Sequence, residues 1–458
     1  MIKILPLGGA DDIGASCFYL NIFNTGILLD CGIHPRKVGF ESLPKLELLK
    51  DLPLDFVLIS HAHQDHIGSL PFLIQKYPHT IIYSTVQTKE IADITMHNAV
   101  NILSNRQAAD SDFKIYTHEE IDLLVRSIRT AEYSSPFEIR GMRHNSSLPL
   151  KITFFDAGHI LGSASILIEH DNHKILYTGD INLGSQSIMT GASMKEIGKV
   201  NTLILESTYA ATDSQTLGSW ESELKRFAKS ANRILNNDGT ILIPVFALGK
   251  TQEMLSAVYN LIEKRELTET NIYTGGVSRE ISKLYDKNRH IVKRKYLNLE
   301  LTAVPQVNLM EITDPNYFRK NPGIVLASSG MMLPGTTSYK LLEYWLRQES
   351  FAVFGVGYMD PETPGYKIMS SKTGDKVELN EYSSLVVINC SLERFYFPSH
   401  SNRENLLEIV RQTNPDHVIL VHGEEVAKNW LGYNIMNTFQ GVRVHSSSTA
   451  SEILLPNT

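Results

Sequence analysis

The segment from Ile59 to Gly68, ISHAHQDHIG, places His61, His63, Asp65 and His66 within six residues. Core packing gives no reason for that density of polar side chains, whereas metal binding does. In an extended segment, residues two apart face the same side, so His61 and His63 can offer two imidazoles to one cation. The turn after them can swing Asp65 and His66 toward a neighbouring cation. Imidazole nitrogen and carboxylate oxygen are normal zinc donors at about 2.0–2.2 Å. Four donors so close in sequence do not comfortably close a single tetrahedron, so two adjacent metals completed from elsewhere are expected.

Candidates for the remainder sit where strand-like runs end: His159 in FDAGHILGS, Asp180 in YTGDIN and His422 in LVHGEE. The two oxygens of Asp180 suit it to bridge two metals. Any one of these residues taken alone reads more readily as a cap or turn residue than as a ligand; the dense loop is what recruits them.

The elements that must position these groups are legible as short β-rich runs: TGILLDCG at 25–32, DFVLISHAH at 55–63, KITFFDAGH at 151–159, SASILIEHDN at 163–172 and HKILYTGD at 173–180. Each ends in or beside Asp or His. Helical patterns fall between them, over Val86 to Gln107 and His118 to Tyr133. From about residue 209 the pattern changes to longer alternation: helix WESELKRFAKSANRIL, strand GTILIPVF, helix GKTQEMLSAVYNLIEK, strand PGIVLASSG, helix YKLLEYWLRQ, strand FAVFGVGY. Successive βα units predict a mostly parallel sheet flanked by helices. After SLVVINC come the helix RENLLEIVRQ, the strand DHVILVHG and a closing helix and strand through Val444.

The chain has 458 residues, 42% hydrophobic and 20% charged, which is globular and too long for one simple core. Its 43 Lys+Arg against 50 Asp+Glu leave a net charge of -7, so the surface as a whole does not advertise a broad nucleic-acid-binding face and a polyanion would need a local groove with bound cations. Three scattered cysteines, Cys17, Cys31 and Cys390, do not make a disulfide framework and fit a reducing compartment. No signal h-region or membrane-length apolar run is present, so a soluble cytoplasmic protein with no membrane association is expected.

HAHQDH, Asp30 in LLDCG, His159 and Asp180, in these strand contexts, resemble the ordered motifs of the metallo-β-lactamase fold, an αββα sandwich. Downstream, LILESTYA, ILIPVFALGKTQE, LASSGMML, FPSHSN and VILVHGEE resemble the β-CASP nucleases, which include the mRNA 3′-end cleavage endonuclease and ribonuclease J. The resemblance implies an α/β architecture: a metallo-β-lactamase domain over residues 1–208, an inserted β-CASP domain over 209–395, and a return to the first domain over 396–458. It implies two Zn2+ per chain, with His61, His63 and His159 on one, Asp65, His66 and His422 on the other, Asp180 bridging them, and Asp30 orienting the ligand loop.

Glu206 and His400 would be the acid–imidazole pair that protonates the departing oxygen, making Asp65, Asp180, Glu206 and His400 the catalytic set. Where relatives commonly read Phe-Ser-Ala-His-x-Asp, this chain reads Phe397-Pro398-Ser399-His400-Ser401-Asn402, which removes a carboxylate near the presumed acid. RNA-acting members usually have His at the position of His422, and the DNA-repair branch usually has Val. The resemblance therefore implies a ribonuclease cutting internally or from a 5′ end by a two-metal mechanism in a cleft between the domains. Its alternatives are a DNA nuclease and a non-catalytic subunit of an RNA-processing complex. Ser328, Ser329 and Gly330 in SSGMMLPG, and Lys250 at a helix start, are the expected substrate contacts. With the chain starting at its first strand and ending soon after His422, target choice is expected to come from the cleft, from a homodimer or from a protein partner.

Overall fold

In the strand Ala164–His170, Ile166 and Ile168 belong to one apolar cluster and Leu167 to another. The period of two thus gives each face of the strand its own core. A computed structural model describes residues 2–106, 116–143, 149–214, 217–379 and 385–456. The chain divides into two compact units: Met1–Gly184, Gly191–Ser214 and His400–Thr458 form the first, and Ser185–Thr190 with Gln215–Ser399 the second.

The first unit holds two seven-stranded sheets. One begins with the antiparallel strands Ile2–Gly8, Cys17–Ile22 and Thr25–Leu29, and continues in parallel through Phe56–Leu58, Ile81–Thr85 and Arg129–Ala131. The other runs antiparallel from Phe137–Ile139 through Leu150–Asp156, Ala164–His170 and His173–Tyr177. It then adds Thr202–Glu206, His417–Val421 and Arg443–Ser446 in parallel. Ile4, Phe18, Leu20, Ile27, Leu29 and Leu58 of one sheet pack with Phe154, Ile166, Ile175, Ile204 and Val421 of the other. Leu167, Leu176, Leu203 and Leu420 face outward onto the helices Arg403–Thr413 and Glu425–Thr438.

The second unit is built on a six-stranded, wholly parallel sheet. Its order is Val307–Asn308, Asn271–Thr274, Gly323–Ala327, Ile241–Pro244, Ala352–Gly355 and Ser391–Arg394. Helices such as Lys250–Glu263 and Thr337–Leu346 pack on it. The strands Gly323–Ala327, Ile241–Pro244 and Ala352–Gly355 are buried along their whole length, as expected where both faces of a parallel sheet are covered.

Several expected elements differ. The helix expected over His118 to Tyr133 stops at Ser127, and Arg129–Ala131 instead pairs as an edge strand beside Ile81–Thr85. The helix from Val86 runs to Arg106, and Gln107 lies outside the described residues. Two pairings carry no expectation from the sequence: Val386–Val387 pairs antiparallel with Lys376–Val377, and Ser391–Arg394 takes the edge of the parallel sheet. A further strand, Ile453–Leu455, returns to pair with Ile2–Gly8, a pairing no local pattern signals. Cys17, Cys31 and Cys390 are buried free thiols. Among the described residues no helix is long and apolar enough to cross a membrane.

ALGKTQE is an anchor of the second unit. Gly249 takes φ +85° at the helix start, and Gln252 accepts from its N–H at 2.8 Å. The buried Lys250 Nζ donates to the Phe397 carbonyl at 2.6 Å and lies 5.6 Å from the Trp220 ring. Burial pushes its ammonium down to about 8. The Glu253 carboxylate, 1% exposed, accepts from Ile188 N at 2.7 Å and Met189 N at 2.9 Å, tying the Ser185–Thr190 strap to the helix. Removing it leaves two N–H donors without their acceptor. Glu253→Ala should therefore lower unfolding stability by roughly 2–4 kcal/mol in urea titrations followed by tryptophan fluorescence. An unchanged midpoint would show that the strap is held by other contacts.

Candidate metal centre

Four strand ends and the HAHQDH turn meet at one edge of the first unit. Leu58 ends its strand just before the loop, and His66 falls in the one-turn helix Gln64–Ile67. The loop is fixed from beneath by backbone pairing: Cys31 N donates to His66 O at 2.8 Å and Ile33 N to Gln64 O at 2.9 Å. Asp180 follows Gly179, whose φ of +52° turns the chain sharply after Tyr177; a Cβ there would stand 2.7 Å from Ser60 Cβ.

Asp30, at the end of Thr25–Leu29, is fully buried and takes a left-handed φ of +59°. Its Oδ1 accepts from Ser60 N at 2.7 Å. Its Oδ2 accepts from Ser60 Oγ at 2.6 Å, Tyr177 OH at 2.7 Å and His66 Nδ1 at 2.8 Å. Ser60 Oγ also stands 3.0 Å from His61 Nδ1. With protons on Nδ1 of both imidazoles, the Nε2 lone pairs of His61 and His66 point away from Asp30 into the cluster. A strained aspartate thereby sets two tautomers at once.

On one side, His63 Nδ1 lies 3.0 Å from His61 Nε2 and 3.2 Å from His159 Nε2. Asp180 Oδ2 is 3.5 Å from His61 Nε2 and 3.7 Å from His159 Nε2. On the other side, Asp180 Oδ1 is 3.4 Å from His66 Nε2 and 3.2 Å from His422 Nδ1, while Asp65 Oδ2 is 3.4 Å from His422 Nε2 and 3.8 Å from His66 Nε2. Donors about 2.0–2.2 Å from a tetrahedral ion stand roughly 3.3–3.6 Å from one another. The separations among His61, His63, His159 and Asp180, and those of Asp65 from His66 and from His422 Nε2, scatter about that edge, whereas the His422 nitrogen that faces Asp180 is Nδ1. His66 Nε2 and Asp180 Oδ1 are buried with no hydrogen-bond partner among the described residues. Buried polar atoms without a partner are costly unless a ligand satisfies them, so the His and Asp donor set fits bound metal.

The same point explains the electrostatics. Burial pushes the His61 imidazole well below its ordinary range. Burial alone would raise the Asp180 carboxyl, but His422, His66 and His400 hold it well below the usual carboxylate range.

Beside this cluster, His400 Nδ1 meets Glu206 Oε1 at 3.0 Å and stands 4.0 Å from Asp180 Oδ2. Glu206 is held in turn by Ile181 N at 2.9 Å and Thr208 N at 3.2 Å. Burial lowers the His400 pKa, but the facing Glu206 and Asp180 outweigh it and the imidazole ends above its ordinary range. Ser401 secures the loop: its N–H donates to Ile181 O at 2.7 Å and its Oγ accepts from Leu183 N at 3.1 Å. The departure at Asn402 has a local reading, since Asn402 caps the helix Arg403–Thr413 by accepting from Asn405 N at 2.9 Å.

The expected substrate contacts lie in the second unit. Ser328, Ser329 and Gly330 follow the strand Gly323–Ala327 at the carboxyl end of the parallel sheet. The helix expected to present its N-terminus there begins only at Thr337, and Ser329 Oγ already accepts from Leu333 N at 3.0 Å. Lys250, expected as a substrate contact, is turned inward, its buried ammonium donating to Phe397 O. Sequence reasoning also missed Ser60, Tyr177, Thr208 and Ser401. Ser60 directly precedes the ligand loop, which was the one available signal.

If Asp30 sets the tautomers of His61 and His66, Asp30→Asn should weaken zinc binding by about 10–100-fold in competition with a chelator. Unaltered zinc affinity would refute that role.

Residues 19–209 match the metallo-beta-lactamase superfamily domain, 251–368 the Beta-Casp domain, and 385–446 the Zn-dependent metallo-hydrolase RNA specificity domain. An RNase J-like protein of Methanocaldococcus jannaschii is 30% identical over 426 residues, covering 93% of each chain. Cleavage and polyadenylation specificity factor subunit 3 of Dictyostelium discoideum is 28% identical over 99% of this chain, which spans 57% of that protein's length. Among solved structures, a protein of unknown function from Enterococcus faecalis shares the fold at TM-score 0.57 and 15% identity, covering 99% of this chain and 100% of its own. The chain belongs to the β-CASP ribonuclease family of the metallo-β-lactamase superfamily.

Proposed function

We propose that this chain is a zinc-dependent ribonuclease that hydrolyses RNA phosphodiester bonds with two metals. The observation that carries the reading is Asp180, with one oxygen facing His61 and His159, the other facing His66 and His422, and the His400–Glu206 pair alongside. In this reading His61, His63 and His159 hold one ion, Asp65, His66 and His422 hold the second, and Asp180 serves both. When bound, such a pair supplies Lewis-acid activation of water and charge neutralisation on the phosphate.

The chain's own groups do the rest. Glu206 engages His400 at Nδ1, leaving Nε2 as the nitrogen that delivers a proton to the departing oxygen. Glu206 also favours the charged imidazole that this step requires. Ser328, Ser329 and Gly330 are proposed to contact the substrate backbone; Lys250 is not. RNA is favoured over DNA by His422, by the match to an RNA specificity domain, and by relatives named as a ribonuclease and as a cleavage and polyadenylation factor. Further target choice is assigned to self-association or to a protein partner in the cytoplasm.

The test is to incubate zinc-loaded protein with end-labelled RNA and the matching single-stranded DNA. RNA should be cut and DNA spared. Asp180→Ala should abolish cleavage and reduce bound zinc, whereas His400→Ala should lower kcat by about 10²–10⁴-fold with zinc content unchanged. Variants as active as wild type would defeat the mechanism, and equal cleavage of DNA would defeat the choice of substrate.

A further inference from the structure

A second His/Asp cluster lies on the helices Val86–Arg106 and His118–Ser127 of the first unit, apart from the centre described above. Each helix carries the same pair one turn apart, Asp93 with His97 on the first and His118 with Asp122 on the second. An i,i+4 spacing puts both members of a pair on one face. The two helices pack together, and a Thr117–Glu120 capping box fixes the turn that carries His118.

His97 sits at the centre. Its Nε2 is 3.5 Å from Asp93 Oδ1 and 3.3 Å from Asp122 Oδ1. Its Nδ1 is 2.7 Å from His118 Nδ1, with the two rings inclined by only 15°. A nitrogen–nitrogen approach that short needs a proton between the two atoms. When His118 supplies it, His97 Nε2–H is shared between the two carboxylates; when His97 supplies it, the neutral ring turns its Nε2 lone pair toward them, three acceptors that a cation would satisfy. A charged His97 would instead draw one carboxylate to about 2.7–2.9 Å. Both oxygens stand farther away and nearly equidistant, at the roughly 3.3–3.6 Å edge of a tetrahedron around an ion with zinc-like bond lengths.

We propose that His97 Nε2, Asp93 Oδ1 and Asp122 Oδ1 form a further binding site for a divalent cation of the zinc class, with a fourth position open to water. His118 holds the tautomer that frees Nε2 for the metal. An imidazole with two carboxylates selects Zn2+ and its neighbours over Mg2+ or Ca2+. The carboxylates balance the charge, and the ion ties one helix to the other. Side-chain exposures of 29% for His97, 51% for Asp93 and 52% for Asp122 make this an open site, filled and emptied with free metal while the buried centre stays loaded.

The test uses the full chain with its buried centre already saturated. After equilibrium dialysis against micromolar Zn2+, wild type should hold one equivalent more than His97→Gln or Asp122→Asn, and His118→Phe should need about 10–100-fold more Zn2+ to fill the site. Added Zn2+ should raise the melting temperature of wild type and not of His97→Gln, while RNA cleavage by His97→Gln stays at the wild-type level. Equal zinc content in wild type and both ligand variants would overturn the proposal. So would the same zinc-dependent melting shift in all three.

Discussion

The arrangement depends on one carboxylate, Asp180, held where burial would neutralise it and kept ionised by the imidazoles on both sides. A carboxylate with 3% of its side chain exposed can remain charged only if positive charge or hydrogen-bond donors converge on it. That charge comes from the imidazoles of His422, His66 and His400, while Ser60 and Asp30 engage Nδ1 of His61 and His66 and leave both Nε2 atoms facing Asp180. So many imidazole and carboxylate groups packed around one buried carboxylate make a site that suits metal cations. The αββα frame serves to hold that unfavourable arrangement in place.

The holding is done from behind the ligands. Asp30 binds four donor atoms with two oxygens, and two of those donors, from Ser60 and Tyr177, belong to opposite sheets of the sandwich. The loop geometry is thus locked to the packing of the sheets, and a shift of one sheet would disturb the imidazoles. Glu206 plays the corresponding part for His400, with Ile181 and Thr208 N–H groups fixing the carboxylate before it meets the ring. Catalysis by positioned acids and metals needs such support, since small misplacements cost large factors in rate.

Much of this was legible in the sequence where the signal is dense or periodic. HAHQDH stood out because four donors in six residues have no packing rationale, and the βα alternation after residue 209 announced a parallel sheet. His159, Asp180 and His422 were legible through the order of motifs at strand ends, since no short-range pattern says that residues more than two hundred positions apart will meet. What stayed hidden depends on three-dimensional neighbours. Ser60 and Tyr177 look like ordinary strand residues until Asp30 is placed between them. Lys250 read as a cation at a helix start, yet the helix turns it inward to a carbonyl, and periodicity cannot say what lies on that side. The edge strand Arg129–Ala131 was taken for helix because its pairing partner is remote in sequence.

The claim that Asp180 is shared by two ions is tested most directly by diffraction from zinc-loaded crystals, collected on either side of the zinc absorption edge. Two anomalous peaks should flank the Asp180 carboxylate, one among His61, His63 and His159 and the other among Asp65, His66 and His422. A single peak at Asp180, or a second ion bound without any contact to it, would contradict the account.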